Sequence, residues 1–116
     1  MAALSPGAPR DPDLPVREGT SLTGTRCREL FEFQLGSRLL DVAARWLRAQ
    51  GEGFYTIGSS GHEGNAAVAA ALRVTDPALL HYRSGAFYLA RSAMAGRLPE
   101  QGLRDVLLGL TASAAA

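Results

Sequence analysis

Two short segments of the chain combine residue types that bind anions. Residues 58–61, with the sequence GSSG, form a predicted turn directly before a helical pattern. Residues 81–83, with the sequence HYR, come directly before Ser84 and a second helical pattern. The backbone N–H groups at the start of a helix attract anions, and an arginine guanidinium presents a planar fork of donors. Together the two segments predict a site for a phosphate group.

Arg83 is the leading candidate for a phosphate ligand in the second segment. It lies where a short apolar run ends and a helix begins, and the Tyr82 hydroxyl or the His81 imidazole could add a donor. The alternative is that Arg83 is a surface residue whose guanidinium pairs with a carboxylate, such as that of Asp76. Both interpretations stay open at the level of the sequence.

The first segment has its own candidates. His62 follows the turn, and a helix N terminus there favours a neutral imidazole, which suits the wall of an active site. An exposed histidine at a helix start explains the residue equally well. Ser60 and Glu63 have the S-x-x-E spacing of a capping box, which accounts for Glu63 without a role in proton transfer. The segment is not a Walker A loop, because the chain contains no lysine.

Composition narrows the classes of protein and partner. With 116 residues, 47% hydrophobic residues and a net charge of +1, the chain predicts one soluble globular domain or part of one. The arginines alternate with carboxylates, so we expect no nucleic-acid partner. No signal peptide and no apolar run of roughly 18 residues is evident, so we expect a cytoplasmic protein without a membrane partner.

Metal and disulfide chemistry are not indicated. Cys27 is the single cysteine, so the sequence has no internal disulfide, and no Cys or His pair has the spacing of metal ligands. Cys27 is best interpreted as a small buried hydrophobe. We therefore predict no metal site in this chain.

The segments are positioned by predicted helices. Residues 1–18 contain four prolines and are predicted to form a flexible arm. Residues 21–50 predict one long helix that ends at Gly51. Apolar residues occupy two of its faces, so we expect it to pack against two neighbours, of which this chain supplies only one. Gly36 interrupts this broad surface, which argues against a coiled coil. The two faces comprise Cys27, Phe31, Leu35, Leu39, Val42 and Trp46 on one, and Leu30, Phe33, Leu40, Ala43 and Leu47 on the other.

Shorter elements follow the long helix. Residues 54–57 are β-prone, residues 63–72 predict an alanine-rich helix, and residues 78–80 predict a short buried strand. A third helix is expected over residues 84–94, and Pro99 opens a fourth. On the fourth helix one apolar side is formed by Leu103, Val106, Leu107 and Leu110. The expected fold is mostly α with short β segments.

This order of motifs resembles a known family. A long helix is followed by three motifs, each opening a further element: Gly53-Phe54-Tyr55, Gly61-His62-Glu63 and His81-Tyr82-Arg83. In this order they resemble the thiamine diphosphate-dependent 2-oxo acid dehydrogenases. The resemblance is to the start of the alpha subunit, or of the alpha part of a fused alpha-beta chain, of their decarboxylating first component. It covers roughly residues 19–110. One departure is Gly61-His62-Glu63-Gly64, where the family usually has Gly-Gln-Glu-Ala or Gly-Glu-Glu-Ala.

The resemblance implies a fold, a reaction and partners. Residues 19–116 would be the incomplete N-terminal part of an α/β thiamine diphosphate-binding domain. The complete enzyme would oxidatively decarboxylate a 2-oxo acid and pass the acyl group to a lipoyl carrier. Its Mg²⁺ site and the glutamate that activates the cofactor do not occur in this chain. The implied partners are a beta subunit or fused beta part and a lipoyl-bearing acyltransferase.

The resemblance also implies residue roles. Tyr82 and Arg83 would contact the cofactor diphosphate, with His81 beside them. The substrate pocket would be formed by Phe54, Tyr55, Ser59 and Ser60, with His62 as the candidate catalytic residue. A different class of function also accommodates the sequence: a non-catalytic helical interaction module or truncated remnant, whose apolar helix faces bind a partner.

Overall fold

The described residues form a small assembly of four helices. The computed structural model describes residues 10–53 and 58–111. The helices are α1 (Gly24–Ala49), α2 (Asn65–Ala71), α3 (Gly85–Met94) and α4 (Pro99–Leu110). Within the described ranges there is no strand, apart from one isolated bridge between Pro15 and Thr23. The prediction of a mostly helical chain is confirmed. None of these helices is both long enough and apolar enough to cross a membrane.

The predicted long helix is present, but it begins at Gly24 rather than at residue 21 and ends at Ala49, next to the predicted end. The Thr23 side chain accepts a hydrogen bond from the Arg26 backbone N–H at 3.1 Å, which satisfies one unpaired donor of the first turn. At the other end Gly51 has a φ of +76°, a conformation that costs glycine little and stops the helix. α1 therefore begins and ends for local reasons that the sequence contains.

The two faces of α1 have different surroundings. Ser37, Leu40 and Ala44 are buried on the face turned toward the other helices. The opposite face is exposed along its whole length, from Phe31 to Trp46. The described chain thus covers one face of α1, with contacts from α2, α3 and α4, and a neighbour for the exposed face stays a prediction.

α3 lies at the centre of the assembly and contacts the other three helices. The core is built mainly from alanine, whose small side chain lets helix backbones approach closely, around the single aromatic ring of Phe87. Leu30, Phe33 and Leu72 pack against this core from α1 and the end of α2. The buried core residues are Ala66 and Ala69 of α2, and Ala86, Phe87 and Ala90 of α3.

The capping box predicted for α2 is wrong. The helix begins at Asn65, its N-cap Gly64 makes no side-chain capping bond, and the Glu63 carboxylate instead accepts from the Gly61 backbone N–H at 2.8 Å. A box closed by Ser60 and Glu63 would place Gly61 in the first helical turn. Gly61 has a φ of +86°, which is outside the helical region, so the chain turns there and the helix starts later.

The buried strand predicted at residues 78–80 is also wrong. This segment has no strand partner among the described residues, and Leu79 is fully exposed at 102%. An apolar run becomes a strand only where a neighbouring strand supplies ladder hydrogen bonds and a covering layer. The other β-prone segment, residues 54–57, lies outside the described residues.

Part of the proline-containing N-terminal segment lies against the start of α1. The Val16 N–H donates to the Leu22 carbonyl at 2.8 Å, and the Thr25 N–H donates to the Pro12 carbonyl at 2.9 Å. The Thr25 hydroxyl adds a bond to the Asp13 carboxylate at 3.1 Å. These bonds hold residues 12–16 of the predicted arm against the start of α1, because they pair its backbone groups with partners farther along the chain.

Candidate functional site

The structure brings the two anion-binding motifs together through one side chain. Arg83 donates from Nε to the Gly58 carbonyl at 2.9 Å and from Nη2 to the Ser60 carbonyl at 2.7 Å. The rings of His62 and His81 meet edge to face, with centroids 5.4 Å apart. Residues that are about twenty positions apart in the sequence thus form one cluster, which we call the two-turn site: residues 58–63 and 81–84.

The second turn of this site is held by its own hydrogen bonds. The Ser84 N–H donates to the His81 carbonyl at 2.9 Å, and the Ser84 hydroxyl oxygen accepts from the His81 N–H at 3.1 Å. The Arg83 N–H donates to Nδ1 of His81 at 3.0 Å. Since Nδ1 is an acceptor, the neutral imidazole carries its proton on Nε2. His81 is exposed, so Nε2–H is available as a donor for a ligand.

The alternative partner considered for Arg83 is not used. Asp76 instead accepts from Arg73, whose Nε and Nη2 lie 3.2 and 3.1 Å from Oδ1. Arg83 connects the two turns rather than forming a surface ion pair. Its bonds to two carbonyls occupy one edge of the guanidinium and fix the direction of the remaining donors.

The first turn is tied to α1 by a buried network. The Ser59 hydroxyl and backbone N–H both donate to Oδ2 of Asp41 at 2.9 Å, and the Ser37 hydroxyl donates to the Ser59 hydroxyl at 2.6 Å. Ser59 is only 3% exposed, and its hydrogen bonds to Asp41 position the turn. Sequence reasoning missed Asp41 and Ser37, although two polar residues four apart beside the buried face of a long helix were a usable signal.

The other predicted site residues occupy different environments. Tyr82 is 62% exposed and Ser60 is also exposed, whereas His62 is half-buried. Phe54 and Tyr55 lie outside the described residues, so the predicted pocket wall is not placed. The structure therefore assembles His62, His81 and Arg83 around one point, with Tyr82 beside it.

A second polar cluster lies next to the site and was not predicted. The Tyr88 hydroxyl donates to Oδ2 of Asp105 at 2.6 Å, and Nη1 of Arg97 donates to the same oxygen at 2.6 Å. The bond from Arg97, supported by that from Tyr88, holds the pKa of Asp105 below its ordinary value. The bond to Asp105 raises the pKa of Tyr88, and burial raises it further. No local signal links these residues, because Tyr88 lies on α3, Arg97 lies between α3 and α4, and Asp105 lies on α4.

This cluster forms one end of a cavity. The cavity has a volume of about 590 Å³ and lies between residues 80–85, α3 and α4. Leu80, Val106 and Leu110 give it an apolar wall, while His81 and Tyr82 connect it with the two-turn site. A phosphate at the two turns would thus leave the rest of its ligand next to an apolar cavity.

Neither a metal centre among the described residues nor a similar protein indicates what the site does. Across residues 10–53 and 58–111, no group of three or more His, Cys, Asp or Glu side chains is placed to hold a metal ion. Comparisons with protein-family models, curated proteins and solved structures found no match to this chain. The geometry of the two-turn site is therefore the basis for its proposed chemistry.

Proposed function

We propose that this chain is the N-terminal part of a cytoplasmic thiamine diphosphate-dependent 2-oxo acid dehydrogenase. Such an enzyme oxidatively decarboxylates a 2-oxo acid and transfers the acyl group to a lipoyl carrier. The observation that supports the proposal is the meeting of the two turns at Arg83. Two of the motifs that resemble the family, Gly61-His62-Glu63 and His81-Tyr82-Arg83, lie about twenty residues apart in the sequence and are neighbours in the fold.

The residues present fit one edge of a diphosphate. Among the described residues, the hydrogen bonds of Arg83 use Nε and Nη2, which leaves Nη1 for an anionic oxygen. His81 offers Nε2–H, and the Tyr82 side chain is exposed beside it. One charge-assisted contact contributes about 1.5–3 kcal/mol, whereas millimolar affinity needs about 4 kcal/mol. We therefore assign these residues to half of a site that the beta part of the enzyme completes.

Each residue of the two-turn site has a proposed task. Arg83 and Tyr82 bind and orient the diphosphate, and His81 supports them. His62 lies against His81, where a neutral imidazole can hold or move a proton near the reacting part of the cofactor. Ser59 keeps the first turn in position through Asp41. The cofactor itself supplies the carbanion chemistry, and Mg²⁺ would be held by residues outside this chain.

Binding of the cofactor to the two-turn site is testable on this chain. We expect thiamine diphosphate with Mg²⁺ to shift the ring NMR resonances of His62 and His81, the only two histidines. Arg83→Lys should require about tenfold more cofactor for the same shift, because one ammonium cannot bridge two carbonyls and still bind phosphate. Arg104→Lys, on the exposed side of α4, is the matched replacement of a guanidinium by an ammonium and should bind as the parent chain does.

Two results would count against the assignment. One is the absence of any change at either histidine up to about 50 mM cofactor, since half of a site is expected to bind more weakly than millimolar. The other is an equal shift in the parent chain and in Arg83→Lys. Where Arg83→Lys perturbs the turn itself, Tyr82→Phe gives a second comparison, since it leaves both carbonyl contacts of Arg83 in place.

A second candidate function has its own observation. The exposed face of α1 favours a helical interaction module, because single-chain proteins rarely leave a continuous apolar helix face uncovered. The two functions are compatible, since the exposed face and the two-turn site use different residues. Which kind of partner fits that face is a separate question.

A further inference from the structure

α1 carries a continuous apolar stripe that no described part of the chain covers. The α1 stripe comprises Phe31, Leu35, Leu39, Val42 and Trp46, whose exposed fractions lie between 44% and 62%. Its last four members follow the 4-3-4 spacing of the apolar positions in a two-helix coiled coil. Gly36, which argued against a coiled coil in the sequence, lies against Leu89 of α3 and so does not interrupt this stripe. At 1.5 Å per residue the stripe is about 22 Å long. It therefore matches the apolar face of one partner helix of about four turns.

One edge of the α1 stripe is positively charged. Arg38 and Arg45, seven residues apart, lie along the same edge, and both are exposed. The Arg38 guanidinium lies 4.0 Å from the Glu63 carboxylate, whereas Arg45 forms no ion pair within the described ranges. Exposed arginines beside an apolar stripe select a partner with carboxylates in the facing positions.

A second copy of this chain does not supply those carboxylates. In an antiparallel pair of α1 helices, Arg38 of each copy would lie near Arg45 of the other, and like charges at such positions repel. In a parallel pair these arginines would face Ala43 and Gln50, which are uncharged. Neither arrangement places a carboxylate opposite Arg38 or Arg45, so the electrostatics disfavour a homodimer through this face.

We propose that the α1 stripe is the docking surface for an amphipathic helix of a partner protein. The partner helix has apolar residues at coiled-coil spacing and Asp or Glu along the edge that meets Arg38 and Arg45. The proposal does not depend on the cofactor site, because it uses the face of α1 opposite the buried core.

Trp46 makes the test specific. It is the only tryptophan of the chain and belongs to the stripe, so a blue shift of its fluorescence reports occupation of this surface. The probe is a synthetic helical peptide with Leu at the a and d positions and Glu at e and g, compared with a peptide that has Lys in place of Glu. We expect the Glu peptide to bind about tenfold more tightly at low salt, and the difference to shrink near 1 M salt.

Variants locate the binding surface. Leu39→Ser should abolish the fluorescence shift, while Val68→Ser, an equally apolar and 51% exposed position on α2, should leave it unchanged. Arg45→Glu should weaken the Glu peptide about threefold and strengthen the Lys peptide by a similar factor. Circular dichroism of each variant checks that the helices are retained.

Three outcomes would overturn the proposal. The first is no Trp46 shift with either peptide. The second is equal affinity for the Glu and Lys peptides at low salt, which would mean that Arg38 and Arg45 do not contribute to recognition. The third is a dimer of this chain, detected by light scattering, that Leu39→Ser disrupts and Val68→Ser does not, since a second copy would then be the occupant.

Discussion

Arg83 holds the two turns together, and in the proposed function the same side chain also contacts the ligand. Its guanidinium bonds to the Gly58 and Ser60 carbonyls keep the two turns together. The same planar group presents its other edge outward, which an ammonium cannot do. A residue of this kind is poorly described as either structural or functional, and its substitution should affect the local fold and anion binding at once.

Asp105 is the residue whose ionisation should control stability. Arg97 and Tyr88 both donate to its carboxylate, so its pKa in the folded chain lies below the ordinary value of 3.8. A depressed carboxyl pKa stabilises the fold above the unfolded-state pKa, and the contribution is lost as the pH falls through the folded-state pKa. Asp105→Asn should therefore lower the melting temperature at neutral pH.

The pH dependence distinguishes this ionic effect from simple packing. The difference in melting temperature between the parent chain and Asp105→Asn should begin to shrink near pH 4 and vanish at lower pH. Glu52→Gln, an exposed carboxyl just after α1, should show no such difference. A gap that stays constant down to pH 2 would mean that the charge of Asp105 contributes nothing to stability.

At the scale of elements, all four described helices are predicted from the sequence, and the errors lie in the start of α2 and in the strand at residues 78–80. Helix ends were predictable where a cap or a glycine stands at the boundary, as at Thr23 and Gly51. The start of α2 was not, because the positive φ of Gly61 overrides the capping pattern around it. An S-x-x-E pattern does not reveal whether the intervening glycine is helical.

The close approach of α1 to α3 depends on a glycine. A methyl group at Gly36 would lie 2.9 Å from Cδ1 of the buried Leu89. Overpacking of this kind costs about 1–3 kcal/mol, and the higher helix propensity of alanine offsets up to about 1 kcal/mol of it. We expect Gly36→Ala to lower the free energy of unfolding by about 1 kcal/mol, measured by urea denaturation.

Gly109→Ala is the control for this effect. The same methyl group at Gly109 of α4 meets nothing within 4 Å, so only the propensity term remains. That variant should be more stable by about 0.5–1 kcal/mol. If Gly36→Ala were also stabilised, α1 and α3 would have room to move apart, and the tight packing at this crossing would be refuted.

At the scale of the whole molecule, stability depends on very few large side chains. Phe87 is the only aromatic residue in the buried cluster of the described residues, whose other members are alanines. Removing a buried phenylalanine ring costs about 3–5 kcal/mol, a large share of the roughly 5–15 kcal/mol that stabilises a typical domain. Phe87→Ala should therefore lower the free energy of unfolding by about 3–5 kcal/mol, measured by circular dichroism in urea.

Phe31→Ala is the matched substitution on the α1 stripe. Phe31 is 61% exposed, so its loss should change the stability of the isolated chain by no more than about 0.5 kcal/mol. Equal losses in the two variants would mean that the exposed face of α1 is covered within the chain itself. The contrast thus tests the fold and the availability of the docking surface together.

The sequence by itself determined the helices, because their apolar periodicity, caps and terminating glycines act within a few residues. It also contained the two anion-binding motifs and the second apolar face of α1. The tertiary structure decided which groups meet: Arg83 with the Gly58–Ser60 turn, Ser59 with Asp41, and Tyr88 with Asp105. It also left residues 78–80 exposed, because a strand needs a partner strand that no local pattern can supply. Contacts between distant residues depend on how helices pack, and packing depends on the whole chain at once.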